Sequence, residues 1–151
     1  MRRKETSKMK YTKAWIFVLV LCFFSFRGGQ GICTEGTTYQ FYGRHLMAQY
    51  YDCDPTALGN PKRIGEVMTA AAVASGAHII KSMDYIFEPN GYSMILLLSE
   101  SHASIHTYPE HNACFIDYFT CGHHSSPEKF DALMRAYLLP KKWKSAVQER
   151  E

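Results

Sequence analysis

The chain lacks the cysteine pattern of a disulfide framework. Its 151 residues contain five cysteines, an odd number, and no two of them form a CxxC pair. Small secreted domains that depend on disulfides normally carry an even number of cysteines. The cysteine content therefore predicts a reduced compartment with at least one free thiol. The five are Cys22, Cys33, Cys53, Cys114 and Cys121.

The middle of the chain also lacks a cluster of basic residues. The net charge is only +3, and lysine and arginine concentrate toward the two ends. Because nucleic-acid-binding domains normally present a basic stripe or face, we expect no nucleic-acid partner. Apolar residues make up 46% and charged residues 21%, which is typical of a soluble globular domain. The length suffices for one such domain, and no internal repeat is visible.

The longest apolar run is too short to cross a bilayer as a helix. It covers residues 14–26 (AWIFVLVLCFFSF), follows a basic segment and precedes Arg27 and several glycines. At about 1.5 Å per residue it would reach only about 20 Å, against roughly 30 Å of hydrocarbon core. We therefore expect residues 1–38 to be an extension outside the fold. It is a cleaved signal, a shallow anchor or sequence upstream of the true start, and membrane contact is possible only through residues 14–26.

Alternating apolar residues and turn residues predict five strands and two helices between residues 39 and 140. The expected strands cover residues 43–51, 78–87, 92–98, 103–108 and 113–119. One helix begins at Pro61, has apolar residues at helical spacing from Ile64 to Ala72, and ends at Gly76. The second begins at Ser125-Ser126-Pro127 and stops at Pro140.

These elements predict an α/β two-layer sandwich, with a mainly antiparallel sheet and helices on one face. Residues 141–151 are expected to form a charged tail. A domain this small, with one sheet face uncovered, also predicts dimerisation.

The residues able to perform chemistry gather between positions 99 and 124. His102 and His106 have the HxxxH spacing of a zinc site on a helix. Here the segment is predicted as a strand, on which the two would lie roughly 13 Å apart, so we expect no metal. No GxSxG motif supports a hydrolase. The spacing alone leaves three interpretations open: a solvated loop, a metal site, and a hydroxyl or thiol nucleophile beside an imidazole.

Five segments spread along the predicted domain carry a specific pattern: GRHLMAQYYDCD (43–54), SGAHI (75–79), FEPNGYS (87–93), LSESHASIHTYPE (98–110) and IDYFTCG (116–122). They closely resemble the prokaryotic S-adenosylmethionine decarboxylase proenzymes. The resemblance implies a two-layer sandwich that assembles as a dimer of cleaved protomers. It implies a covalent pyruvoyl cofactor made from Ser101. It also implies a cytoplasmic enzyme whose product feeds polyamine (spermidine) synthesis, and the signal-like N-terminus leaves a tethered or exported form as the alternative.

The resemblance further implies self-cleavage between Glu100 and Ser101. The Ser101 hydroxyl attacks the preceding carbonyl to give an ester, and elimination at the serine Cα leaves dehydroalanine, which hydrolyses to pyruvoyl. By position, His106 is expected to be the processing base, and Ser93 the hydroxyl that helps to stabilise the intermediate.

In turnover, the resemblance implies that the group at Ser101 binds the substrate amine as a Schiff base and that Cys121 is the proton donor. Phe87 is expected to stack on adenine and Glu110 to accept the ribose hydroxyls. The competing interpretations are a core aromatic for Phe87, a solvated acid for Glu110 and a hairpin residue for Ser93. For the whole chain, they are a pyruvoyl-dependent arginine or ornithine decarboxylase and an inactive homologue that does not cleave itself.

Overall fold

One antiparallel sheet of six strands organises residues 41–151, the part of the chain that the computed structural model describes. The strands are β1 (Gly43–Tyr51), β2 (Ile79–Phe87), β3 (Gly91–Leu98), β4 (Ser101–Tyr108), β5 (Ala113–Cys121) and β6 (Lys142–Arg150). The helices are α1 (Pro55–Leu58), α2 (Pro61–Ala74) and α3 (Pro127–Leu138), and a 3-10 turn covers Pro109–His111. The strand order is β2-β3-β4-β5-β1-β6, with every neighbouring pair antiparallel. The predicted extension at residues 1–38 lies outside the described residues.

The strands alternate between a buried face under the helices and an open face. In β1, Leu46, Ala48 and Tyr50 are buried while Met47 and Gln49 are exposed. The helices complete the core with a set of fully buried side chains: Ile64, Met68, Phe130, Met134 and Leu138. Each such side chain contributes about 1.5–3 kcal/mol by leaving water. The predicted two-layer sandwich with helices on one face is confirmed.

Both long helices begin where the sequence predicts. The Asn60 side chain caps α2 by accepting a hydrogen bond from the backbone of Arg63 at 3.1 Å, and the Ser126 hydroxyl caps α3 by accepting from Lys129 at 3.2 Å. Helix α2 ends just before Gly76, whose φ of +97° suits glycine, and an added Cβ there would clash with a backbone oxygen.

The prediction of a charged tail at residues 141–151 is wrong, because Lys142–Arg150 form strand β6. This strand pairs antiparallel with β1 along its whole length, from Gly43 opposite Arg150 to Tyr51 opposite Lys142. Only Val147 of the strand is partly buried, so its sequence carries almost no apolar alternation. Edge strands are commonly rich in charged residues, which oppose pairing with other chains. The backbone pairing rather than side-chain burial defines this element.

Two strands are each longer than predicted by two residues, and these additions matter for the site. Strand β4 begins at Ser101 instead of residue 103, and β5 continues to Cys121 instead of residue 119. Ser101 pairs with Thr120 in the β4–β5 ladder. The polar start of β4 and the end of β5 therefore meet at one end of the sheet. Short helix α1 is not one of the two predicted helices.

The open face of the sheet carries a broad apolar surface. Its exposed apolar side chains come from four of the six strands: Met83, Tyr85, Ile95, Leu97, Phe115 and Met47. Exposed apolar side chains grouped on one face commonly mark interaction sites in soluble proteins. We call these six side chains the open-face patch.

Candidate active site

The Glu100–Ser101 peptide bond lies at the start of β4 with hydrogen-bonding groups on both of its sides. The Glu100 carbonyl accepts a hydrogen bond from the backbone N–H of Cys121 at 3.1 Å. The Ser101 hydroxyl lies 3.1 Å from Nδ1 of His102. A hydroxyl next to an imidazole, beside a carbonyl that already receives an N–H, is an arrangement suited to attack on that carbonyl.

The Glu100 side chain is held in place by His78. Its carboxylate accepts from the His78 backbone N–H at 3.0 Å and contacts Nδ1 of the same residue at 2.8 Å. Burial alone would raise the pKa of Glu100, but the hydrogen bonds from His78 and Ser99 outweigh it and hold this pKa below its ordinary value. The carboxylate is therefore charged at neutral pH and restrains the residue on the amino side of the peptide bond.

Cys121 is the last residue of β5 and lies at the same end of the sheet as Ser101. It follows Thr120, which pairs with Ser101. Its thiol is a free, partly exposed group on the rim of a cleft of about 370 Å³. The Arg150 guanidinium, in the same cleft, lies over the Phe119 ring at 4.6 Å from its centroid. We call Glu100, Ser101, His102 and Cys121 the cleavage cluster.

A second group of predicted residues meets at the opposite end of the open face. Ser93 on β3 pairs with His106 on β4, and the hydroxyl lies 2.5 Å from Nδ1 of the imidazole. Both line a cleft of about 550 Å³ together with Phe87 and Glu110. Phe87 ends β2 and is 49% exposed, so it is a cleft residue rather than a core aromatic. We call Phe87, Ser93, His106 and Glu110 the cleft cluster.

The two clusters are too far apart to act together within one chain. Ser101 and His106 are five residues apart on β4, which corresponds to about 16 Å along the strand. They also have opposite parity on the strand, so Ser101 points toward the helix side and His106 toward the open face. His106 therefore cannot reach the Cα of Ser101 in its own chain.

Two histidines beside the Glu100–Ser101 bond, His78 and His102, were not predicted as site residues. His78 reaches Glu100 because the end of β3 returns beside it, with the Ser99 N–H donating to the His78 carbonyl at 2.9 Å. No local motif signals that approach. His102 was predicted by name only as a possible zinc ligand, and the interpretation of a hydroxyl beside an imidazole did not assign it to Ser101, its neighbour in the sequence. Within residues 41–151, no three His, Cys, Asp or Glu side chains gather as a metal site.

No helix among the described residues has the length and apolar character needed to cross a membrane. The predicted membrane contact through residues 14–26 lies outside the described residues.

Comparison with known proteins places the chain beside one family. Residues 44–151 match the family described as S-adenosylmethionine decarboxylase. The S-adenosylmethionine decarboxylase proenzyme of Parasynechococcus marenigrum is 41% identical over 93 residues, covering 62% of this chain and 73% of that protein. The proenzyme of Thermotoga maritima is 45% identical over 95 residues, with the same shares of each chain. The crystal structure of the adenosylmethionine decarboxylase from Aquifex aeolicus superposes with a TM-score of 0.68 at 33% identity, covering 73% of this chain and 91% of that one.

Proposed function

Since the chain belongs to the S-adenosylmethionine decarboxylase family, we propose that it cuts itself between Glu100 and Ser101 and then decarboxylates S-adenosylmethionine. The products are CO2 and decarboxylated S-adenosylmethionine, an aminopropyl donor for spermidine synthesis. The observation that carries the proposal is the geometry of the cleavage cluster, where the Glu100 carbonyl accepts from the Cys121 N–H and the Ser101 hydroxyl lies beside His102.

The first step of cleavage uses groups of one chain only. His102 takes the proton of the Ser101 hydroxyl, and the oxygen attacks the Glu100 carbonyl carbon. The Cys121 N–H stabilises the negative charge that develops on the carbonyl oxygen, in the manner of an oxyanion hole. The C–N bond then breaks, the nitrogen takes up the proton, and Glu100 is left as an ester on the Ser101 oxygen.

His102→Ala is expected to slow self-cleavage about 10²-fold or more, because a positioned base of this kind contributes that much to a proton transfer. The rate is measured on freshly synthesised chain, by the appearance of the two fragments on a gel. His111→Ala, which removes an exposed histidine from the 3-10 turn, is the matched control and should cleave like the wild type. Cleavage of His102→Ala at the wild-type rate would remove His102 from the mechanism.

In the second step a base removes the Ser101 Cα proton, the Cβ–O ester bond breaks, and Glu100 leaves as a carboxylate while dehydroalanine forms. A second copy of the chain can supply the base. Two copies can pair through their open faces about a two-fold axis that passes near Ser104 and Asp117. This axis brings the Ser101 end of one sheet next to the His106 end of the other. It places His106 of the partner subunit at the end of the sheet that holds Ser101, and buries the open-face patch of both copies. We therefore infer a dimer of processed protomers, in which each active site combines one chain's cleavage cluster with the partner's cleft cluster.

The residues around Ser101 fit a covalent pyruvoyl group. The group would form from Ser101 itself, whose Cα and Cβ are kept and whose nitrogen would leave as ammonia, at the end of a strand where Cys121 lies on the neighbouring strand. When present it supplies an electron sink for the loss of CO2. The Cys121 thiol would donate its proton to the carbon that lost the carboxylate, a transfer suited to a thiol because sulfur releases a proton more readily than a hydroxyl oxygen does.

The cleft cluster gives the substrate its nucleoside contacts. Phe87 presents an aromatic face on which adenine can stack, and Glu110 presents carboxylate oxygens that accept hydrogen bonds from the two ribose hydroxyls. Arginine and ornithine offer neither a ring nor a ribose, so these two residues favour S-adenosylmethionine over the smaller amino acids. Ser93 bonds to His106 and orients its imidazole.

Phe87→Ala and Glu110→Gln are each expected to raise the KM for S-adenosylmethionine about 10-fold to 100-fold, from the loss of roughly 1–3 kcal/mol of binding. Release of CO2 from S-adenosylmethionine, arginine and ornithine measures both the constants and the specificity. Trp143→Ala is the control, because Trp143 is also 49% exposed but packs against Arg135 at the helix-side edge. Faster release of CO2 from arginine or ornithine than from S-adenosylmethionine would overturn the assignment of substrate.

A further inference from the structure

Two cysteines that the proposed reaction does not use are buried beside each other. Cys53 is 3% exposed and Cys114 is fully buried, and both are free thiols in the apolar core. Cys114 pairs with Tyr50 in the β1–β5 ladder. The chain then turns so that the Cys53 N–H bonds to the Asn112 carbonyl at 2.9 Å, two residues from Cys114. This turn brings Cys53 beside the strand that carries Cys114, and each thiol shifts the pKa of the other.

Self-cleavage would place these two cysteines on different polypeptides. Cys53 belongs to the fragment 1–100, and Cys114 to the fragment 101–151. In the folded protomer the two fragments are joined by the β3–β4, β1–β5 and β1–β6 ladders, which are non-covalent. A covalent bond between these sulfurs would therefore be a crosslink between the two chains of one processed protomer.

We propose that Cys53 and Cys114 form a disulfide when the protein meets a peroxide, and that this bond ties the two processed chains together. The link between chains rests on the proposed self-cleavage, whereas the disulfide itself does not. The pair lies on the helix side of the sheet, away from the open face that carries the cleft cluster. The crosslink therefore holds the fragments together without occupying the proposed substrate site.

The chemistry needs only the two thiols and hydrogen peroxide. The Cys53 thiolate attacks one peroxide oxygen, the O–O bond breaks, and the sulfur becomes a sulfenic acid as one water leaves. The Cys114 sulfur then attacks the Cys53 sulfur, the S–O bond breaks, and a second water leaves. Two thiols are oxidised to one disulfide, and one peroxide is reduced to two waters.

Exposure and the direction of the pKa shifts together assign the order of reaction. Cys53 keeps slight exposure whereas Cys114 is fully buried, so peroxide reaches the Cys53 sulfur first. The neighbouring Cys114 thiol lowers the pKa of Cys53, and the neighbouring Cys53 thiol together with burial raises the pKa of Cys114. Cys53 is therefore the attacking sulfur and Cys114 the resolving one. Cys121 is not a rival partner, because it lies seven residues further along β5, about 23 Å from Cys114.

The test compares purified protein before and after treatment with hydrogen peroxide, with the peroxide removed and the protein then denatured in the presence of the alkylating reagent, so that buried free thiols are blocked as they become exposed. We expect the fragments 1–100 and 101–151 to run as one band without reductant and as two bands with it. The mass of the linked species should be two hydrogens below the sum of the fragments, and a proteolytic digest should contain one peptide joining Cys53 to Cys114. Cys114→Ala should lose the link, while Cys22→Ser with Cys33→Ser should keep it.

Two fragments that separate without reductant after peroxide treatment, with Cys53 and Cys114 both recovered as thiols, would overturn the proposal. So would a link that joins any other cysteine pair. Because the digest is made from the wild-type protein, its result does not depend on the folding of a variant. If the chain proves uncleaved, the proposed function fails, but the loss of two hydrogens and the Cys53–Cys114 peptide still test the disulfide.

Discussion

Cys121→Ala is expected to abolish decarboxylation while self-cleavage continues. The substitution removes the thiol proton donor, and loss of such a donor typically slows a reaction about 10²-fold to 10⁴-fold. It leaves the backbone N–H of residue 121 in place, and that N–H is the group that bonds to the Glu100 carbonyl. The variant should therefore still yield two fragments, and its CO2 release from S-adenosylmethionine should fall to a small fraction of the wild-type rate.

Cys114→Ala is the matched control for this experiment, since it removes the same group from the other end of the same strand. It should cleave itself and release CO2 at close to the wild-type rate. Wild-type turnover by Cys121→Ala would exclude the thiol as the donor. Failure of Cys121→Ala to cleave would show that the thiol, and not only the backbone of this residue, acts in processing.

Two inactive variants are expected to restore cleavage to each other when they share a dimer. Ser101→Ala has no hydroxyl to attack Glu100, and His106→Ala has no base for the elimination, so neither alone should form the two fragments. In a mixed dimer, Ser101 of the His106→Ala chain lies beside His106 of the partner subunit. If the two chains pair at random in equal amounts, about a quarter of all chains should be cleaved.

The mixed dimer is produced by co-expression, with a different affinity tag on each variant, and the fragments are identified by mass. Only the His106→Ala chain should be cut. Pairing of Ser101→Ala with a second Ser101→Ala chain is the control and should give none. Absence of cleavage in purified mixed dimers would contradict the two-chain site, and cleavage of His106→Ala alone at the wild-type rate would remove His106 from processing.

The sequence predicted the sandwich well because the sheet and the helices each follow a simple sequence rule. Along β1, β3, β4 and β5, buried and exposed side chains alternate, which predicts one face packed against helices and one open face. Pro61 and Ser126 predict where the two long helices begin. The missed strand β6 obeys neither rule. It is charged on both faces and is defined by backbone pairing with β1, which no property of residues 142–150 alone reveals.

The individual candidate site residues were predicted from the sequence, but their separation into two clusters was not. Ser101 and His106 are close in the sequence, and their proximity suggests a shared role within one chain. A strand separates residues five positions apart by about 16 Å and turns them to opposite faces, so the two fall into different clusters. The pairing of Ser93 with His106, 13 positions apart, depends on the register of the β3–β4 hairpin, which only the structure supplies.

The most direct test of self-processing is the intact mass of the purified protein beside a Ser101→Ala variant. We expect a wild-type fragment of residues 101–151 whose amino end is a keto group, blocked to sequencing and reactive toward a carbonyl reagent. The mass of this fragment does not depend on the residue at which the fragment ending at Glu100 begins. Ser101→Ala should give no such fragment. A wild-type protein that remains a single chain ending at Glu151, with Ser101 recovered intact, would contradict self-processing and the decarboxylase chemistry that depends on it.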